Sequence, residues 1–97
     1  MTRNKAIPTV QVDNERIRVT RWHFSAGAET GWHRHAWEYV VVPLVTGPLL
    51  LEEPGGSVRR SELTAGQAYT RAAGVEHNVI NPAESEFEFI EVELKRT

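Results

Sequence analysis

"GWHRHAWEYVVVPLV", residues 31–45, sets two histidines one residue apart just ahead of an aromatic, β-branched run. On a strand, residues i and i+2 point to the same face, so His33 and His35 are expected to project side by side into one space. Trp37 and Tyr39 share that parity, and Glu38 has the opposite one. Residues 37–45 have the composition of a buried strand. Pro43 cannot donate to a ladder and marks an edge, a bend or the end of pairing. Two imidazoles held in parallel are half of a metal site, because neutral imidazole binds zinc, iron, nickel and copper. The third ligand must come from another strand; His77 in "AGVEHNVIN" (73–81) is a candidate, and His23 is the only other histidine. The competing reading is a surface pair on a strand and a hydrogen-bonded structural histidine.

The rest of the chain shows no sustained helical period. "ERIRVTRWHF" (15–24) alternates, but its apolar parity slips from Ile17 and Val19 to Trp22 and Phe24, which predicts a strand with a bulge near Thr20. "SAGAETG" (25–31) reads as a loop. "TGPLLLEE" and "VRRSEL" read as strands around "EPGGS" (53–57), where Pro54 and Gly55 suit the centre of a type II turn. Residues 64–81 hold short extended pieces broken at Gly66 and Gly74. "EFEFIEVEL" (86–94) alternates with a parity switch between Phe89 and Ile90, which predicts a second bulge. Its glutamates are expected on a solvated sheet face. Many short strands with turns about every ten residues point to an all-β sandwich or barrel.

Ninety-seven residues make one domain with a modest core. A net charge of −2 gives no electrostatic case for nucleic acid or an anionic membrane. The absence of cysteine excludes disulfides, thiolate ligands and a cysteine nucleophile. No apolar run reaches the roughly 18 residues needed to span a bilayer, and "MTRNKAIPTV" lacks the apolar region of a signal peptide. The expectation is a cytoplasmic protein with no nucleic-acid or membrane partner. Residues 1–8 are expected to be a tail or a segment exchanged with another subunit, and residues 9–97 the domain proper.

At this point the sequence resembles the cupin superfamily over most of its length. The first cupin motif runs G-x5-H-x-H-x(3,4)-E-x6-G. Here it is Gly27, five residues, His33, Arg34, His35, four residues to Val40, and six more to Gly47. The second runs G-x5-P-x-G-x2-H-x3-N, and here it is Gly66, Ala72 in the proline position, Gly74, His77 and Asn81. The closer similarity is to small single-domain cupins of the BauB type, linked with β-alanine degradation.

The resemblance implies a double-stranded β-helix, or jelly-roll, barrel holding a divalent metal (Fe, Zn, Ni or Mn) on His33, His35 and His77. Two departures stand out. Ala72 replaces the motif proline, and the motif glutamate is missing: the spacing falls on Val40 or Tyr39. Glu38 is expected to face away, so the expected ligand set is three histidines.

Trp37, Tyr39, Tyr69 and Arg71 are candidate substrate-binding residues, with Tyr39 or Tyr69 as candidate proton donors. Arg71 suits bidentate pairing with a carboxylate, against the alternative of a solvent-facing arginine. Trp22 and Trp32 are expected in the core or an interface. Two functions remain open. One is a metal-dependent enzyme for a small organic acid or amine-derived metabolite, a dioxygenase with iron or an isomerase or lyase with another metal. The other is a non-catalytic cupin that binds or senses a small molecule. A homodimer is expected, with residues 7–13 at its interface, because cupins commonly pair this way and a small jelly roll exposes sheet edges.

Overall fold

The computed structural model describes residues 3–95. Among them are nine strands: β1 (Ile7–Asp13), β2 (Ile17–Phe24), β3 (His33–Arg34), β4 (Tyr39–Pro43), β5 (Gly47–Glu52), β6 (Val58–Leu63), β7 (Tyr69–Arg71), β8 (Glu76–Ile80) and β9 (Phe87–Leu94). They form two sheets, in the orders β1-β2-β9-β4-β7 and β3-β8-β5-β6, with every strand paired antiparallel to its neighbours. This is an all-β fold of the kind the turn spacing predicts, with the jelly-roll architecture that the cupin resemblance implies. No helix of the described residues is long and apolar enough to cross a membrane.

Local chemistry sets the turns. Asn14 Oδ1 accepts the backbone N–H groups of Arg16 and Ile17 at 2.8 and 3.0 Å, closing the β1–β2 hairpin with an Asx turn. Between β5 and β6, the Gly56 N–H donates to the Glu53 carbonyl at 3.2 Å, with Gly55 at φ 88°. That is the type II turn the "EPGGS" stretch predicts, since its third residue must adopt a positive φ. Pro43 ends β4, opposite Phe89.

The sheets enclose a core that includes Phe24, Leu49, Leu63, Phe87 and Phe89, with the Phe24 and Phe89 rings 5.6 Å apart. Burying each such side chain contributes roughly 1.5–3 kcal/mol. Trp22 packs against this core, whereas Trp32 is 55% exposed.

Neither expected bulge exists where the parity slips. β2 and β9 pair in unbroken register from Ile17–Leu94 to Phe24–Phe87. The register shift lies in β1, between Val10 and Val12, across from Thr20 and Val19. The slip in hydropathy has another cause. The inward row of β9 runs Phe87, Phe89, Glu91 and Glu93, and that of β2 runs Phe24, Trp22, Thr20 and Arg18. One end of the barrel interior is packed and the other is polar. At the polar end, Ile17, Val19, Ile90 and Val92 take the outer face. The glutamates of "EFEFIEVEL" therefore divide: Glu88 pairs with Arg21 on the outside, while Glu91 is buried at 7% exposure.

Candidate metal centre

His33 and His77 stand directly opposite each other in the β3–β8 pair. His35 follows β3 and is tied back by two backbone bonds, from its own N–H to the Val75 carbonyl at 2.9 Å and from the Gly74 N–H to its carbonyl at 2.8 Å. Gly74 makes this turn at φ 91°, which disfavours any side chain. Asn81, the last residue of the second motif, is fully buried, and its amide donates to the carbonyls of Ser25 and Ser85. It anchors the loops below the site and stands outside it.

The three imidazoles converge through their Nε2 atoms. His35 Nε2 lies 3.0 Å from His33 Nε2 and 3.1 Å from His77 Nε2. Their ring planes cross at 78°, 68° and 87°. The His33 Nδ1–H donates to the Gly31 carbonyl at 2.8 Å, which in the neutral ring leaves Nε2 as the atom with the lone pair, facing the other two rings. Three ring nitrogens this close cannot all be satisfied by hydrogen bonds, because each offers only one proton or one lone pair. A cation at their focus would satisfy all three. Nitrogens about 2.1 Å from one ion and at right angles stand about 3.0 Å apart, so the donor set fits a divalent metal with an open side.

Electrostatics favours the same state. Burial, then the charges of His33 and Arg71, holds His35 down to about 4. Burial, with His33 and His35 next, holds His77 down to about 3. Both rings stay neutral at ordinary pH, the form that binds metal. Among the described residues, a second group with ligand atoms within 4.8 Å of one another is His35, Glu91 and Glu93, which shares His35 with the first. Glu38 belongs to neither group. Tyr39 takes the inward position beside the histidines, its ring stacked on His35 with centroids 3.8 Å apart.

The histidines open onto a narrow interior cleft. Tyr39, Tyr69 and Arg71 line it together with His33 and His77. The Tyr39 hydroxyl is buried without a hydrogen-bond partner, and burial pushes its ionisation well above the usual phenol range. Burial also raises Tyr69. Arg71 makes no ion pair among the described residues, and its charge acts on His35, His77 and both tyrosines. Trp37 is placed elsewhere: its ring centroid lies 5.6 Å from the Arg18 guanidinium and 5.7 Å from the Lys95 ammonium.

Sequence reasoning missed Glu91. It lines the same cleft, with the Trp22 indole N–H directed at its carboxylate. Burial, then the nearby charge of Glu93, pushes its carboxyl up to about 7. The available signal was the uninterrupted alternation Phe87, Phe89, Glu91.

Two antiparallel sheets closed around a cluster of motif histidines define a cupin. A cupin-domain family model matches residues 20–93, and the chain belongs to that family. It is 60% identical over 93 residues to the β-alanine degradation protein BauB of Pseudomonas aeruginosa, covering 96% of this chain and 97% of that one. The crystal structure of a cupin domain from Bordetella pertussis superposes with a TM-score of 0.96 at 62% identity, covering 99% of each chain. A Klebsiella pneumoniae protein with a double-stranded β-helix domain gives 0.78 at 22% identity, covering 98% of this chain and 81% of its own, and shares the fold.

Proposed function

We propose that the protein is a metal-dependent enzyme acting on a small organic acid or amine-derived metabolite, with His33, His35 and His77 holding one divalent ion. The observation that carries this reading is the focus of three imidazole nitrogens beside an internal cleft. The similarity to a β-alanine degradation protein supports the substrate field. Bound iron would supply oxygen chemistry of the dioxygenase type, and zinc, nickel or manganese would supply Lewis-acid chemistry of the isomerase or lyase type.

In this proposal Arg71 grips the substrate carboxylate through its planar guanidinium. Tyr39, un-ionised and unpartnered at the cleft wall, donates a hydrogen bond to a substrate oxygen, and Tyr69 lines the same wall. The apolar lining, Val41 and Leu51 among it, excludes bulk water. The working form is a cytoplasmic homodimer joined near residues 7–13. Elemental analysis of the purified protein, followed by a turnover screen of small carboxylic acids on the metal-loaded form, tests the reading. Stoichiometric metal with turnover is the expected result. Binding of acids without turnover would instead indicate a non-catalytic ligand-binding cupin, and absence of bound metal would reject the reading.

A further inference from the structure

Arg71 and Glu91 line one cleft, carry opposite formal charge, and do not pair with each other. Neither takes part in any ion pair among the described residues. Register explains why. Arg71 pairs with Tyr39, while Glu91 pairs with Val41 on the other side of β4. The two backbones are therefore two strand spacings apart and offset by two residues, roughly 12 Å in all. At that separation the side chains lean into the cleft from opposite ends without meeting.

Such an arrangement is costly when empty. A buried carboxyl without a cationic partner loses its hydration, and Glu91 is 7% exposed, with the Trp22 indole directed at it and a His35 ring nitrogen within 4.8 Å. The half-buried Arg71 guanidinium, which acts on buried Tyr39 and half-buried Tyr69, likewise has no ion-pair partner among the described residues. We infer that the cleft takes a short zwitterionic ligand, its carboxylate on Arg71 and its cationic nitrogen on Glu91, with the carbon chain lying across Val41. This inference rests on the proposed carboxylate grip of Arg71 and adds the second end of the ligand. It also explains why Glu91 faces inward on a strand whose neighbouring glutamate, Glu88, faces out. Glu93 does not compete for the role, since it lies 3.9 Å from Arg18 at the mouth of the cleft.

Calorimetric titration of the metal-replete protein with β-alanine, propionate and n-propylamine tests it. β-Alanine should bind about tenfold or more tightly than either half-ligand, the scale of one charge-assisted contact of about 1.4 kcal/mol. Glu91→Gln should lose that preference over propionate, keep its propionate affinity and retain its metal. Equal or tighter binding of propionate by the unmodified protein overturns the inference, whether or not the variant folds. So does an unchanged preference in Glu91→Gln, or loss of its metal, which would make Glu91 a ligand. Propionate affinity unaffected by Arg71→Gln, or no binding of any acid, would instead reject the proposed carboxylate grip and this inference with it.

Discussion

The Tyr39 ring lies flat on the imidazole of His35, with centroids 3.8 Å apart and planes 19° from parallel. Tyr39 stands in one of the two positions where the cupin motif spacing would place a glutamate, and it contributes a face in place of a carboxylate. The stack fixes the rotation of His35 and so the direction of its Nε2. The Tyr39 hydroxyl, in contrast, has no partner to lose.

Tyr39→Phe should therefore leave stability unchanged or raise it, because an unsatisfied buried hydroxyl costs about 1–3 kcal/mol. Metal content should be retained. Turnover, if Tyr39 is the proton-donating group, should fall by about 100-fold or more. Denaturant unfolding, elemental analysis and a rate measurement on the same preparation separate these effects. A large loss of stability in the variant would contradict the unpartnered hydroxyl.

Alanine at His33, His35 or His77 should each remove most of the metal, with affinity weakened at least about tenfold. Elemental analysis after dialysis checks this. Full retention of metal in His77→Ala would remove β8 from the site.

Glu38→Gln should keep its metal, because Glu38 belongs to neither group of candidate ligands. An unchanged metal stoichiometry and metal spectrum are expected. A carboxylate oxygen found at bonding distance in a metal-bound crystal structure would replace the three-histidine set.

The metal-free protein should lose stability as pH falls below about 6.5. His35 and His77 are held in the folded state at about 4 and about 3, so the unfolded chain takes up two protons first. Glu91 acts in the opposite sense: raised to about 7, it holds one proton in the folded state that the unfolded chain has released. Between pH 4.5 and 6.5 the net difference is 2 − 1 = 1 proton, giving a slope of about 1.4 kcal/mol per pH unit. In Glu91→Gln the slope over that window should approach twice this value. Urea unfolding at several pH values measures both slopes, and a flat profile would contradict the neutral buried histidines.

Light scattering should show a dimer at micromolar concentration, and a chain truncated before Asn14 should dissociate. β1 leaves Ile7, Val10 and Val12 at 60%, 55% and 40% exposure on an edge strand, the form of edge that invites pairing. A monomeric full-length protein defeats the expectation. A dimeric truncated chain removes β1 from the interface.

Much of the fold was legible because turns and glycines punctuate it. The two breaks at Gly66 and Gly74 isolate β7 and β8, and the matched spacing brought His77 to His33. What failed was the inference from hydropathy phase to backbone. A barrel that holds a site must turn polar inside at one end, so the apolar residues change faces while the strand continues. That change mimics a bulge, and it hid Glu91 among glutamates taken for surface. Trp37 was misplaced for a related reason. β3 ends at Arg34 and β4 begins at Tyr39, so alternation cannot be carried through the residues between them. Tyr39 nonetheless returns to the inward face.

The brevity of β3 has a further consequence. Two of the three histidines sit on a segment whose strand pairing extends over only His33 and Arg34. An ion bound there would favour the folded form by mass action, by about 2.7 kcal/mol at a hundred times its dissociation constant. For a chain without cysteine, that would make the melting temperature a reporter of free metal concentration. The amides of residues 31–36 would then be the first to exchange with solvent deuterium when the ion is withdrawn.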